Sequence, residues 1–116
     1  MDLAAAWADG SRESHLVALF KVKPDKHEEA VEALSACIEA THDEAGCLNY
    51  ALHHSKGDPD TYVLVERWTS QVALENHMQQ PYVAALGAKA GDLIAEPPVI
   101  HFSEPIPVGD PVKGVL

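Results

Sequence analysis

The stretch from Leu16 to Lys23 reads as a β-strand that is apolar on both faces. Side chains on a strand point alternately to opposite sides, so residues two apart share a face. One face carries Leu16, Ala18, Phe20 and Val22, and the other carries Val17 and Leu19. This pattern is typical of a strand that is covered on both sides. The fold must therefore supply a layer of structure on each side of the sheet.

An amphipathic helix is predicted directly after this strand. Pro24 suits the start of a helix, where its missing N–H costs nothing. Glu28 and Glu29 complement the positive end of the helix dipole. The predicted apolar stripe consists of Val31, Leu34, Cys37 and Ile38. Gly46 is the expected stop signal of this helix.

A β-hairpin is predicted next. Its strands are Cys47–Ser55 and Thr61–Trp68, and the turn between them is marked by the Gly, Pro and Asp residues of 56–60. Thr69 or Ser70 then caps a second helix. The inward stripe of this helix should contain Leu74, His77 and Met78, with Tyr82, Ala85 and Leu86 in a further piece beyond Pro81 that runs to about Ala90. A fourth strand is predicted over Pro98–Ser103.

The resulting order β-α-β-β-α-β predicts an α+β, ferredoxin-like fold: a four-stranded antiparallel sheet with two helices on one face. Two helices cover only one face of the sheet. Leaving the other face exposed to water forgoes about 25 cal/mol of folding free energy per Å² of apolar surface. A second copy of the sheet is the expected cover, giving a homodimer through the sheet face. The predicted divisions are an N-terminal arm (1–14), this domain (15–103) and a Pro-rich tail (104–116) that could cross onto the partner.

Charge and composition exclude several classes of function. The formal charge is −10, which disfavours binding to nucleic acid or to an anionic membrane. No apolar run approaches the ~20 residues that span a bilayer. Asp2 comes early and the first basic residue is Arg12, so no secretory signal is expected. Cys37 and Cys47 are interpreted as reduced thiols of a cytoplasmic protein.

His77 and Glu66 are the main candidates for catalysis. His77 follows Leu74 by three residues, so it should point towards the sheet, where an imidazole can take or give a proton. The alternative is a hydrogen-bonded core histidine. Glu66 interrupts an apolar strand, and a buried carboxylate is costly unless it is paired. It could orient His77, act as a base with a raised pKa, form a structural ion pair, or face solvent.

Three aromatic residues are candidates for a substrate pocket. Trp68, Tyr50 and Tyr82 offer flat apolar surfaces, although each could simply belong to the core. Asn49 could donate a hydrogen bond to a developing oxyanion. An edge strand or a β-bulge would explain an Asn at that position equally well.

No motif indicates a metal or a cofactor. The seven histidines include no H-x-x-x-H or H-x-H spacing, and the adjacent His53 and His54 point to opposite faces. A metal site assembled from separate strands stays an open, less favoured alternative. The sequence contains no phosphate-binding loop, no G-x-G-x-x-G and no G-x-S-x-G. We therefore expect neither a nucleotide nor a flavin.

Several short segments together resemble the antibiotic biosynthesis monooxygenase family. They are Glu44-Ala-Gly-Cys-Leu-Asn-Tyr50, Glu66-Arg-Trp-Thr-Ser70, Ala73-Leu74 and His77, and the resemblance extends over roughly Leu16 to Phe102. It implies a dimeric α+β barrel with a pocket between the sheet and the helices of each subunit. Members of the family include cofactor-independent oxygenases of phenolic, anthrone or quinol compounds, haem-degrading enzymes and an isomerase of a phosphorylated sugar.

The resemblance does not extend to the haem-degrading branch. The Asn, Trp and His that this branch requires are replaced here by Ala18, His77 and Gly87. The isomerase branch needs only acid–base residues, but no basic cluster marks a phosphate site.

The favoured hypothesis is a cofactor-independent monooxygenase that acts on a small aromatic, quinol-type or polyketide-like substrate with O2. In this hypothesis His77 accepts the proton and Glu66 orients it. Asn49 or Tyr50 stabilises the oxyanion, while Trp68 and Tyr82 form the walls. The alternatives are a non-catalytic dimer that binds a small molecule and an acid–base isomerase.

Overall fold

The computed structural model describes residues 12–116 and contains four strands and three helices. The strands are β1 (Ser14–Lys21), β2 (Cys47–His54), β3 (Thr61–Trp68) and β4 (Val99–Ser103). The helices are α1 (His27–His42), α2 (Gln71–Met78) and α3 (Pro81–Leu93). The strands form one antiparallel sheet in the order β2-β3-β1-β4. The predicted ferredoxin-like α+β order is therefore confirmed, with the second helix divided into α2 and α3.

The first strand and the first helix both have shifted limits. β1 begins at Ser14, inside the predicted arm, and ends at Lys21. α1 begins at His27 and not at Pro24, because Lys23–Lys26 first make a turn in which the Lys26 amide donates to the Lys23 carbonyl at 2.9 Å. The rest of the predicted arm, residues 1–11, lies outside the described residues.

The buried stripe of α1 agrees with the prediction only in part. Ala30, Leu34, Cys37 and Thr41 are buried and Ile38 is half-buried, whereas Val31 is exposed. Residues 30, 34, 37 and 41 are spaced by three or four and so share one side of the helix. The helix ends at His42, so Gly46 is not its stop signal.

Residues near Ser70 and Pro81 set the limits of α2 and α3. The Ser70 hydroxyl accepts a hydrogen bond from the Ala73 amide at 3.1 Å and caps α2, as predicted. α3 begins at Pro81 and runs to Leu93, slightly beyond the predicted end near Ala90. The register of α2 buries Leu74 and His77 and leaves Met78 about half exposed.

The core lies between the sheet and the helices. Its main cluster combines Leu16, Ala18, Tyr50, Leu64 and Trp68 from the strands with Leu74 from α2. A second cluster, near the start of α1, joins Val22, Ala30, Tyr62 and Leu93. All the buried strand residues of these clusters lie on the face covered by the helices.

The opposite face of the sheet carries no helix within residues 12–116, and we call it the helix-free face. Its centre is apolar, since Val17 lies opposite Val65 and Leu19 lies opposite Val63 in neighbouring strands. Leu19 remains 40% exposed in the single chain. The apolar second face predicted for β1 is thus present, and no helix of the described residues covers it.

The tail after β4 adopts no helix or strand. Several of its apolar side chains are exposed, including Val108, Val112 and Leu116. None of the helices between residues 12 and 116 combines the length and the apolar character that crossing a bilayer requires.

Candidate active site

His77 is buried on the side of α2 that faces the sheet. Its side chain is only 3% exposed. The Ser70 cap sets where α2 begins, and His77 follows the fully buried Leu74 by three residues, so both point inward. The predicted position of His77 is therefore correct.

The direct partner of His77 is Glu44, in the loop between α1 and β2. His77 Nδ1 lies 2.7 Å from Glu44 Oε2. The Tyr82 hydroxyl donates to the same carboxylate oxygen at 2.5 Å. Burial and the neighbouring Glu44 carboxylate raise the pKa of Tyr82 above its ordinary value. Tyr82 is thus placed as a partner of Glu44, outside the lining of the cavity described below.

Glu66 is the second carboxyl group of the site, and it is 4% exposed. It shares a face of β3 with Trp68, whose indole Nε1 donates to Glu66 Oε1 at 3.0 Å. Glu66 Oε1 is also 4.0 Å from His77 Nε2. Burial raises the pKa of Glu66 to about 7, and the charge of Glu44 acts in the same direction, whereas the Trp68 hydrogen bond opposes it.

Aromatic rings hold the imidazole of His77 in place. The ring centre of Trp68 lies 4.5 Å from that of His77, and the ring centre of Tyr50 lies 5.2 Å away. Trp68 is completely buried and does not line the cavity, so it supports the site from the core. Tyr50 does line the cavity, and its hydroxyl is 3.9 Å from Cys37 Sγ. Burial raises the pKa of both Tyr50 and Cys37.

A cavity of about 310 Å³ opens between the sheet and the helices, beside His77 and Glu66. This volume is at the small end of the range for small-molecule sites. Apart from His77, Glu66 and the Tyr50 hydroxyl, the side chains around it are apolar. Examples from the strands and helices are Leu16, Ala18, Leu64, Val83, Leu86 and Ile100.

Asn49 does not join this group. It lies in β2 next to Tyr50 and is exposed, and its Oδ1 accepts from Arg67 Nη1 at 3.0 Å. The register shifts between Cys47 and Asn49, which is the β-bulge weighed as the alternative explanation for an Asn at this position. Consecutive strand residues point to opposite faces. Tyr50 takes the cavity side, and Asn49 is therefore placed away from His77.

Glu44 is the site residue that sequence reasoning missed. It lies 33 residues before His77, in a loop, and no local spacing connects the two. The sequence marked Glu44 only by its position at the start of Glu44–Tyr50, one of the segments that resemble the family. Among residues 12–116, His, Cys, Asp and Glu side chains nowhere form a group of three that could hold a metal ion.

A family model described as "Antibiotic biosynthesis monooxygenase" matches residues 14–89. This is more than half of the chain. The chain belongs to the antibiotic biosynthesis monooxygenase family. Its sequence relatives include uncharacterized protein sll1783 from Synechocystis, which is 35% identical over 71% of this chain. The chain covers 56% of that protein, little more than half of its length.

Two further relatives carry a monooxygenase name. "Putative monooxygenase Rv0793" from Mycobacterium tuberculosis is 32% identical over 78% of this chain and 89% of its own length. Its solved structure superposes with a TM-score of 0.77 at 30% identity, covering 81% and 95% of the two chains. The crystal structure of a "putative antibiotic biosynthesis monooxygenase" from Caulobacter crescentus superposes with a TM-score of 0.80 at 29% identity, covering 89% of this chain and 98% of that one. Family and relatives together support a general monooxygenase-like role.

The haem-degrading branch of the family does not fit these residues. Ala18 and Gly87 both line the cavity, at positions where that branch has an Asn and its iron-ligating His. Neither alanine nor glycine has a side-chain donor atom for a metal.

Proposed function

We propose that this protein is a monooxygenase that needs no bound cofactor and oxidises a small, uncharged aromatic or quinol-type molecule with O2. One observation carries the proposal: the imidazole of His77 and the carboxyl of Glu66 stand together in the wall of an apolar cavity. Such a pair can exchange protons with a ligand, while the apolar lining excludes water. The family match supports the same class of reaction.

An anthrone illustrates the chemistry that this site would support. The methylene carbon of the substrate loses two hydrogens and gains one oxygen atom from O2. The second oxygen atom leaves with those two hydrogens as water. The substrate supplies all the electrons, so the protein has to remove a proton and stabilise the resulting enolate-like anion.

The geometry supports distinct roles for the two groups. His77 Nε2 takes the proton from carbon, because Nδ1 is already engaged by Glu44. Glu66, with a pKa of about 7, is protonated in a large fraction of molecules near neutral pH. In that form it donates a hydrogen bond to the developing oxygen anion, as other buried carboxylic acids do. Glu66 thus takes the role first considered for Asn49, and Glu44 takes the orienting role first considered for Glu66.

The remaining aromatic residues complete the arrangement. Tyr50 supplies a wall of the cavity beside Glu66, its direct neighbour in the sheet register. Trp68 holds the Glu66 carboxyl through its indole N–H. Within residues 12–116, the cavity lining contains no Lys or Arg. A phosphorylated sugar would require such groups, so the isomerase alternative is disfavoured.

A homodimer through the helix-free face belongs to the same proposal. Val17, Leu19, Val63 and Val65 lie together at the centre of that face, where Leu19 is exposed and the three valines are half-buried, and no helix of residues 12–116 covers them. A twofold-related copy would bury each surface against its equivalent. The exposed apolar residues of 104–116 would then be free to reach the partner.

Oxygen consumption with anthrone tests the proposed reaction. The wild-type protein should consume O2 faster than the spontaneous oxidation, and 18O2 should label the new carbonyl oxygen of the product. His77→Ala should lower the rate by about 10²- to 10⁴-fold. His54→Ala, an exposed histidine outside the cavity lining, should leave the rate unchanged.

The same assay separates the proposal from a non-catalytic binding role. Saturable binding of anthrone under nitrogen, combined with no oxygen uptake above background, would assign the cavity to binding alone. Equal rates in wild type and His77→Ala would remove His77 from the mechanism.

A further inference from the structure

Hydrogen bonds connect the cavity to the protein surface through Glu44. Glu66 and His77 are almost fully buried, with side chains 6% and 3% exposed. The Glu44 side chain is 16% exposed and accepts from both His77 Nδ1 and the Tyr82 hydroxyl. Side-chain exposure is therefore lowest at His77, in the middle of the path, and highest at Glu44, at its outer end.

We infer that Glu44 is a positioning residue that holds a proton on His77 Nδ1, leaves Nε2 free towards the cavity, and exchanges protons between His77 and solvent. A proton that leaves the substrate by this route is matched by one that enters when water forms, so the reaction releases no net proton. This inference has two halves: a positioning half, in which Glu44 fixes the tautomer of His77, and a relay half, in which Glu44 passes protons between His77 and solvent. Only the relay half rests on the proposed function. A carboxylate only accepts hydrogen bonds, so the nitrogen facing it carries the hydrogen. In a neutral imidazole the other nitrogen then has the free electron pair.

The surroundings of His77 leave Glu44 as the route for the proton. The other titratable side chains grouped around His77 and Glu44 are Glu66, Tyr50, Tyr82, Cys37, Cys47 and the exposed Asp43, which does not contact the imidazole. Burial raises the pKa of both tyrosines and both thiols, so their neutral forms dominate and they do not readily take up a further proton. Glu66 is almost fully buried and faces the cavity, so it offers no contact with solvent. Glu44 alone combines a carboxylate, a direct contact with the imidazole and partial exposure to water.

Tyr82 stabilises this arrangement from the start of α3. Its hydroxyl donates to the same Oε2 atom that His77 contacts. Two donors directed at one oxygen keep the carboxylate in a single orientation, and charge-assisted hydrogen bonds of this kind are about twice as strong as neutral ones. Tyr82 thus connects the α2–α3 junction to the proton path.

The tautomer of His77 tests the positioning half without any activity assay. Long-range 15N–1H spectra of 15N-histidine-labelled protein at about pH 9, assigned by comparison with His77→Gln, report which ring nitrogen carries the proton. The wild type should show hydrogen on Nδ1 and none on Nε2. Glu44→Ala should move a large share of the hydrogen to Nε2, while Glu75→Gln, an exposed carboxyl on α2, should change nothing. Hydrogen on Nε2 in the wild type would overturn the inference.

The relay half is tested by turnover in the presence of small proton carriers. Glu44→Gln keeps an oxygen acceptor but cannot take up a proton, so kcat for anthrone should fall by about 10²-fold with little change in KM. Added imidazole buffer should restore kcat of this variant in a saturable way and leave the wild type unaffected. A loss of kcat that imidazole does not restore would assign Glu44 a structural role only. If the wild type fails to oxidise anthrone, the tautomer measurement still decides the positioning half.

Discussion

Gly46 and Ala73 approach so closely that no larger residue fits at position 46. A Cβ atom placed on Gly46 would lie 2.5 Å from the Ala73 Cβ and 3.2 Å from Thr69 Oγ1. The Gly46 carbonyl also accepts from the Thr69 amide at 2.9 Å. These contacts hold the loop that carries Glu44 against the start of α2. The same loop carries Glu44, whose carboxylate lies 2.7 Å from His77 Nδ1 on α2.

Gly46→Ala should therefore damage both the stability and the site. Overpacking of this kind lowers the free energy of unfolding by about 1–3 kcal/mol. Urea denaturation measures the loss, with Gly57→Ala as the matched control because a Cβ there meets only Ser55 Oγ at 4.0 Å. If Gly46→Ala and the wild type had equal free energies of unfolding, the loop and α2 would be able to move apart and admit the added methyl group at no cost, which would contradict the prediction.

The buried carboxyl of Glu66 should make stability depend on pH. Its pKa in the folded protein is about 7, above the ordinary value of 4.5. The stabilising contribution of Glu66 to the free energy of unfolding is therefore complete below about pH 4.5 and is lost as the pH rises through 7. Glu66→Gln resembles the protonated form, so it should exceed the wild type in unfolding free energy by up to about 3 kcal/mol at about pH 8, and by little at about pH 5.

Urea unfolding of both proteins at the two pH values measures this difference. The other titratable groups are the same in both proteins, so their effects cancel in the difference between the two free energies of unfolding. Glu75→Gln provides the control, since Glu75 is exposed on α2 and its substitution should give no pH-dependent gap. A gap between Glu66→Gln and wild type that stays constant from acid to alkaline pH would contradict the raised pKa of Glu66.

Gly87 should set the usable size of the cavity. It lies on the side of α3 that lines the cavity, and a Cβ there meets nothing within 4 Å. Gly91, one turn later, is equally unobstructed and does not line the cavity. Gly87→Leu should therefore abolish most binding of the uncharged fluorescent probe N-phenyl-1-naphthylamine, while Gly91→Leu should retain it. Equal affinity in the two variants would mean that the probe binds elsewhere.

Substitution on the helix-free face should test the proposed dimer. Val65 lies at the centre of that face, opposite Val17 in the neighbouring strand. Val65→Glu would place a charge in a twofold interface, where its own copy repeats it, and should shift the protein from dimer to monomer. Val72→Glu, at a residue of α2 that is 61% exposed and lies away from the helix-free face, is the control. Light scattering after size-exclusion chromatography measures the mass, and a monomeric wild type would contradict the proposal.

Much of the fold follows from local patterns. Alternating residues predicted β3 with its exact limits, and the Ser70 cap and Pro81 predicted the division between α2 and α3. The start of α1 and its stripe were less well predicted. Pro24 is compatible with either a turn or a helix start, and only the path from β1 to α1 selects the turn.

The candidate site was predicted only in part. His77 and Glu66 stood out because each places a polar group on an apolar face. Asn49 and Tyr50 are adjacent in β2, and Tyr50 is the one that packs against Cys37 of α1 and His77 of α2 and so meets the cavity. Glu44 carried no comparable signal, since a carboxylate in a loop is ordinarily a solvated group.

The sequence by itself determined the order of strands and helices, the side of α2 that carries His77 and the apolar character of both faces of the sheet. These properties depend on residues within a few positions of one another, where the periods of strands and helices operate. Only the tertiary structure decided that Glu44 holds His77, that Tyr82 binds Glu44 and that the indole of Trp68 donates to Glu66. The contacts of Glu44 join residues more than 30 positions apart, and all three depend on side-chain directions within one packed core.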